Sequence, residues 1–221
     1  MIKGEFAWDS VFSSQEWGKY PGESLIKFIA RNFYKLKRNE IKILEIGCGP
    51  GANVWYISRE GFDTYGMDGS GIAIDQAKKR LASEKLTANL CVGNVKELPY
   101  ESNFFDAVVD CECIYANNET DTKKILEEVE RVLKPNGLFY SRTFSENMYV
   151  GTSYKQYSKF EFDEIKEGSL AGKGFVRLID KETVHSLYGK YFEIKSVDFL
   201  RYSSDNGIHE AEEYIIIAKK K

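Results

Sequence analysis

From about residue 22 to about residue 144, short apolar runs alternate with segments whose apolar residues recur at helical spacing. Leu25, Ile26, Ile29 and Phe33 share one face of a first predicted helix. Ile41 to Ile46 is an apolar run that ends in glycines and reads as a buried strand. Asn53 to Glu60 reads as a helix stopped by Gly61, a residue suited to the left-handed turn that closes helices. Thr64 to Met67 is a second strand, and Ile74, Ala77 and Leu81 form the inner stripe of the next helix. Ala88 to Val92 and Ala107 to Cys111 are the third and fourth strands. Ile125, Leu126, Val129, Val132 and Leu133 recur as one helical stripe, with Glu127, Glu128, Glu130 and Arg131 on the water side. Lys134-Pro135-Asn136-Gly137 ends that helix, and Leu138 to Phe144 is a fifth strand.

The alternation then stops. Glu146 to Gly174 is polar, aromatic and glycine-containing, without a period, and a loop of that length in a compact domain points to function. Asp180 to Tyr188 resumes as a helix. Phe192 to Leu200 and Glu213 to Ala218 read as strands, joined through Tyr202 to Ala211 with a turn at Asp205-Asn206-Gly207. Strands alternating with helices imply parallel pairing with helices on both faces. The expected fold is therefore α/β: a seven-stranded, mostly parallel, doubly wound sheet closed by an antiparallel hairpin at one edge.

Composition narrows the partners. At 221 residues with 43% hydrophobic content, the chain suits one domain with one sizeable core. A net charge of -3 and a pI near 5.6 give no electrostatic footprint for nucleic acid. The Lys219-Lys220-Lys221 tail reads as the solvated end of a last strand. Met1 to Phe12 lacks the charged-then-apolar pattern of a signal segment, and no apolar run approaches the roughly 20 residues of a spanning helix. Cys48, Cys91, Cys111 and Cys113 fall within or at the ends of core strands, so a reducing, cytoplasmic setting is expected, with no membrane partner. Cys111 and Cys113 are one residue apart, and no other Cys pair or His cluster completes a metal site.

The chemistry concentrates at Ile43-Leu-Glu-Ile-Gly-Cys-Gly-Pro-Gly51, where a strand runs into a glycine-rich turn and a helix follows. Glycines there admit left-handed torsions and let a ligand reach the backbone. Gly47, Gly49 and Ala52 also satisfy the dinucleotide pattern Gly-x-Gly-x-x-Gly/Ala. Against that reading, Glu45 lies in the strand two residues before the first glycine, and Pro50 removes an N–H that a pyrophosphate would use. A tight turn with no ligand is the plain alternative.

Glu45-Ile-Gly-Cys-Gly-Pro-Gly51 closely resembles the first motif of the class I S-adenosylmethionine-dependent methyltransferases. The likeness continues in order through Tyr65-Gly-Met-Asp68-Gly-Ser70, Gly93-Asn94-Val-Lys-Glu-Leu-Pro99, Phe105-Asp106-Ala-Val-Val-Asp-Cys-Glu112 and Glu128-Val-Glu-Arg-Val-Leu-Lys-Pro-Asn-Gly137. The resemblance implies a Rossmann-like fold and S-adenosylmethionine as cofactor, with S-adenosylhomocysteine as product. It implies a small-molecule acceptor, with oxygen ahead of nitrogen or carbon. Gly47, Cys48, Gly49 and Gly51 would lie against the amino-acid end of the cofactor, and Glu45 would hold its ammonium or pair with a nearby cation. Asp68 would accept the ribose hydroxyls, with Gly69 and Ser70 beside it. Asn94, standing where many members carry Asp, would accept the adenine amino group or merely cap a turn, with Val95 adjacent. Cys111 would pack by the methionine arm.

Glu112 and Tyr115 are the candidate catalytic residues near the acceptor, Glu112 as base. Trp17 and Tyr20 are lid candidates, and Tyr149 and Tyr154, with Tyr157, Phe160 and Phe162, would form an acceptor wall or a satellite core. His185 reads as structural and His209 as solvated. The division expected is residues 1–40 as lid and helices, 41–144 as cofactor core, 145–175 as acceptor-side insertion and 176–221 as closing helix and hairpin, in a monomer or homodimer. Asp110-Cys-Glu-Cys-Ile-Tyr115 stands where the Asn-Pro-Pro-Tyr type of base or amide methylation would be. A nicotinamide-dependent oxidoreductase and a non-catalytic binding module remain the competing functions.

Overall fold

A computed structural model describes residues 5–14 and 17–221; the start of the N-terminal stretch lies outside them. Seven strands form one sheet: β1 (Lys42–Ile46), β2 (Asp63–Asp68), β3 (Asn89–Val92), β4 (Phe105–Cys111), β5 (Leu133–Phe144), β9 (Phe192–Ser204) and β10 (His209–Lys220). Their spatial order is β3-β2-β1-β4-β5-β10-β9. β1 to β5 pair in parallel, while β10 runs antiparallel to both β5 and β9. The doubly wound sheet with its closing hairpin is thus the fold expected.

Side-chain alternation sorts the core onto two faces. Ile43, Ala107, Val109 and Tyr140 meet α2 (Glu23–Phe33), α3 (Ala52–Arg59) and α4 (Gly71–Ser83) through Phe28, Val54 and Ile74. Leu44, Ile46, Val108, Phe139 and Ile216 meet α5 (Glu119–Val132) and α6 (Lys181–Tyr191) through Ile125, Val129, Val184 and Tyr188. The helices start where side chains cap them. Ser70, Asn118 and Asp180 accept the backbone N–H of Ala73, Asp121 and Thr183 at 3.1, 2.9 and 2.8 Å.

Four sequence expectations change. Glu5–Ser14 forms a helix, α1, where no helical stripe was apparent. Leu133 opens β5 instead of closing the helix: it pairs with Phe105, and the register resumes at Ala107 with Leu138, so Lys134 to Gly137 bulges from the strand. Glu128 and Arg131 are half-buried, because Glu128 accepts the Leu98 N–H at 2.7 Å and Arg131 donates to the Leu98 and Tyr100 carbonyls at 2.9 and 2.7 Å. These bonds pin the loop after β3. Finally, the aperiodic stretch holds a second, three-stranded sheet of β6 (Lys155–Ser158), β7 (Glu161–Asp163) and β8 (Val176–Arg177). Its strands are two to four residues long, too short to show a period.

Candidate functional site

The sheet changes direction between β1 and β4, where the chain winds outward both ways. In open α/β sheets a crevice forms at the carboxyl ends of the strands flanking such a point. Here it is lined by the glycine turn, the tip of β2, the loop after β3 and the tip of β4.

The turn is fixed by its glycines. Gly47, Gly49 and Gly51 have φ of 62°, 49° and 77°. A Cβ on Gly47 would stand 2.4 Å from the Cys113 side chain, and one on Gly51 2.8 Å from Ala77 Cβ. The turn's amides bond within the chain. Cys48 N–H donates to the Met67 carbonyl at 2.9 Å, Gly49 N–H to Asp68 Oδ2 at 2.8 Å and Gly51 N–H to the Cys48 carbonyl at 3.0 Å. Pro50 has none to give. The first turn of α3, the usual seat of a phosphate, is held by Glu45 instead. Asn53 Nδ2 donates to Glu45 Oε1 at 2.6 Å and Val54 N–H to Oε2 at 3.1 Å. Glu45 is 1% exposed, and burial pushes its carboxyl up to about 8 against the pull of those two donors. The carboxyl group thus occupies the Val54 N–H in the first turn of α3, which disfavours the dinucleotide alternative.

At the tip of β2, Asp68 Oδ1 accepts the Ser70 N–H at 2.8 Å and Oδ2 the Gly49 N–H. Burial raises its pKa, and these two amides and the neighbouring Asp9 modulate the rise. Ser70 Oγ, while capping α4, also donates to Asp9 on α1. α1 crosses this end of the crevice: Phe12 lies 3.5 Å from where a Cβ of Gly49 would be, and Gln76 Nε2 of α4 donates to the Phe12 carbonyl at 3.0 Å. After β3, Asn94 Oδ1 accepts the Lys96 N–H at 3.0 Å, the turn-capping geometry, and Lys96 pairs with Asp121 at 3.0 Å. Asn94, Val95, Gly69 and Gly93 line the crevice.

At the tip of β4, the fully buried Asp110 accepts N–H bonds from Cys113 and Ile114 at 2.9 and 3.2 Å and the Ser141 hydroxyl at 2.6 Å. Burial pushes its carboxyl up to about 6. These bonds set the course of residues 111–116. Within them Glu112 has φ of 61°, a left-handed torsion that costs a non-glycine residue of order 1–3 kcal/mol. Its carboxylate pairs with Arg142 at 3.1 Å, and burial raises its pKa while Arg142 opposes the rise. Arg142 also binds the wholly buried Glu213, with Nη2 to Oε1 at 2.9 Å. Tyr115 packs on Phe144 with centroids 4.6 Å apart. Among the described residues its hydroxyl has no hydrogen bond. Cys111 lines the crevice beside Glu112.

The cavity so enclosed measures about 590 Å³. Of the residues expected as lid or wall, only Trp17 lines it. Tyr20 is 73% exposed and set edge-on to Trp55, Tyr149 stacks on His209 and donates to Glu167, and Tyr154 packs against Phe162 on the outer side. Those three are corrections. Tyr149 and Tyr154 belong to the small sheet and its flanks, which turn their tyrosines away from the crevice. Phe162 sits instead in a satellite core with Ile165, Leu170 and Val176. His185 is exposed on α6. Trp8 and Phe175, from the expected lid and acceptor-side segments, line it too, and so do Lys173 and Tyr202, which the sequence reading did not single out. No local motif marks Lys173 or Tyr202; only the tertiary arrangement brings them to the β4 tip.

Residues 43–137 match the family model for a methyltransferase domain. The chain is 33% identical over 140 residues to a demethylmenaquinone methyltransferase of Oceanobacillus iheyensis, covering 60% of this chain and 56% of that one. It is 31% identical over 96 residues to an uncharacterized methyltransferase of Bacillus subtilis, covering 43% and 40%. Among solved structures, a SAM-dependent methyltransferase of Methanosarcina mazei superposes with a TM-score of 0.71 at 24% identity, covering 87% of this chain and 96% of that one. The chain spans about half the length of the curated relatives it matches.

Proposed function

We propose that this chain is a class I S-adenosylmethionine-dependent methyltransferase that transfers a methyl group to a small-molecule acceptor, at oxygen; its match to the methyltransferase-domain model over residues 43–137 supports the class. The observation that carries the reading is the glycine turn, where the Gly49 and Val54 N–H groups are taken by the carboxyl groups of Asp68 and Glu45. Donors so engaged are not open to a phosphate, which suits a cofactor without one. The residues fit. A carboxylate offers about four lone-pair positions, so Asp68, giving two to backbone N–H groups, retains capacity for a vicinal diol. Glu45 favours a cation beside it. The cavity, about 590 Å³, falls within the usual range for small-molecule sites.

In this reading Asp68 takes the ribose, Glu45 faces the ammonium, and Gly47, Cys48, Gly49 and Gly51 line the amino-acid end. Gly69 and Ser70 flank the sugar, Asn94 and Val95 the base, and Cys111 the thioether side. The cofactor supplies a methyl group already activated on a sulfonium. The chain's task is therefore orientation and exclusion of water, and orientation accounts for roughly 7–11 kcal/mol in favourable cases. Trp8, Phe12 and Trp17 cover the crevice on one side. Glu112, held at the β4 tip and raised in pKa by burial, is placed to take a hydroxyl proton from the acceptor, with Tyr115 beside it.

Calorimetric titration with S-adenosylhomocysteine and with a nicotinamide dinucleotide tests the reading. Binding of the first alone is expected; binding of the second alone overturns it. A panel of hydroxylated acceptors that yields no S-adenosylhomocysteine from the loaded protein would turn the assignment toward a non-catalytic binding module.

A further inference from the structure

The acceptor side of the cavity carries an ammonium that no hydrogen bond or ion pair among the described residues satisfies. Lys173 lines the cavity from the turn at Leu170, whose carbonyl accepts its backbone N–H at 3.2 Å. Among the described residues, its ammonium makes neither hydrogen bond nor ion pair. It stands over the ring of Trp17, 4.4 Å from the centroid. The indole Nε1 of Trp17 is itself buried without an acceptor. The Trp17 Nε1 is sealed from the cavity, so the donor this wall offers is the half-buried Lys173 ammonium.

The carboxylates nearby are otherwise engaged. Glu112 pairs with Arg142 at 3.1 Å. Glu213 takes Arg142 at 2.9 Å and the Tyr202 hydroxyl at 3.1 Å. Glu112 exerts a field on Lys173, but burial outweighs it and lowers the Lys173 pKa, as expected of an ammonium lacking its counter-ion. Much of the cavity lining is aromatic, with Tyr115, Phe144, Phe175, Trp8 and Phe12.

We propose that Lys173, its ammonium set over the Trp17 ring, forms a seat for a carboxylate, and that the methyl acceptor is a small planar molecule bearing one. The proposal rests on the methyltransferase reading of this cavity and specifies its substrate class. A carboxylate accepts a charge-assisted hydrogen bond from an ammonium, and a planar body suits the rings beside it. The same chemistry could come from the carboxylate of the cofactor's own amino-acid end, and the experiment separates the two sources.

The probes are benzoate and phenylacetate, each paired with its neutral amide. Their affinities are measured by ligand-observed NMR, on the protein alone and loaded with S-adenosylhomocysteine. The acids are expected to bind about tenfold more tightly than the amides, as a charge-assisted hydrogen bond supplies. Lys173→Met should abolish that preference and Lys173→Arg should restore part of it. Neither should move the calorimetric affinity for S-adenosylhomocysteine by more than about twofold. Equal binding of acids and amides to the unsubstituted protein overturns the proposal, as does a preference that survives Lys173→Met. A fall in S-adenosylhomocysteine affinity in Lys173→Met would assign the seat to the cofactor and overturn it too. Failure of S-adenosylhomocysteine to bind the unsubstituted protein would sink the methyltransferase reading instead, and the acid–amide comparison on the protein alone would still report on the seat.

Discussion

The two ends of the crevice are built on opposite rules. At the β1–β2 end both carboxyl groups find partners within the chain: Glu45 takes Asn53 and Val54, and Asp68 takes Gly49 and Ser70. At the β4 end, among the described residues, the Lys173 ammonium has neither hydrogen bond nor ion pair and the Tyr115 hydroxyl has no hydrogen bond. The first end holds its shape before any ligand arrives, because fixed dipoles need no reorganisation. The second has bonding capacity left over, which a ligand can complete. A preformed end paired with an unsatisfied end is what a protein needs if one ligand is constant and the other defines its specificity.

Substitutions at each end test this contrast. The largest effect is expected from Gly47→Ala. The new Cβ would lie 2.4 Å from the Cys113 side chain at a φ of 62°. Strain and overpacking together should cost roughly 2–5 kcal/mol, read by denaturant unfolding. A loss below about 1 kcal/mol would mean that the turn yields. Asp68→Ala comes next, with at least about tenfold weaker S-adenosylhomocysteine binding by calorimetry from losing hydrogen bonds to a charged group. Unchanged affinity would remove Asp68 from the cofactor's partners.

The pH response follows. Glu45 titrates near 8 in the folded chain against an ordinary 4.5, and Asp110 near 6 against 3.8. A raised pKa means the folded chain holds protons the unfolded chain has released. The stability these groups lend is complete below the ordinary values and is lost as pH rises through the folded ones. The melting temperature of the ligand-free protein should therefore decline between pH 5 and pH 8, and Glu45→Gln should flatten the upper part of that decline. An unchanged slope in Glu45→Gln would show that the carboxyl ionises freely. Smallest of all, Tyr154→Ala on the outer face should leave both ligand affinities within about twofold, since the ring lies outside the crevice. A larger change would bring the small sheet's outer face into the site.

This asymmetry also explains what was legible in the sequence. The β1–β2 end is local: Glu45, the glycines and Asp68 stand at strand tips whose apolar runs are plain, and the strained torsions demand glycine. The parallel sheet was readable for the same reason, since strands buried on both faces become continuous apolar runs. The β4 end draws on α1, the β8 flank and the β9–β10 hairpin, far apart in sequence. Lys173 looks like any loop lysine until folding sets it over Trp17. Tyr149 and Tyr154 misled because an aromatic-rich segment has two ways to use its rings, and the strands here are too short to reveal which. α1 escaped notice because its polar face, with Asp9 bonded to Ser70, contributes as much to its docking as its aromatic one.

Phe162, Ile165, Leu170 and Val176 share one apolar cluster with Tyr115, Phe144 of β5 and Ala211 of β10. The small sheet is therefore bolted to the strand tips that frame the crevice, and a change of volume beneath it is transmitted through Tyr115 and Phe144 to the cavity they line.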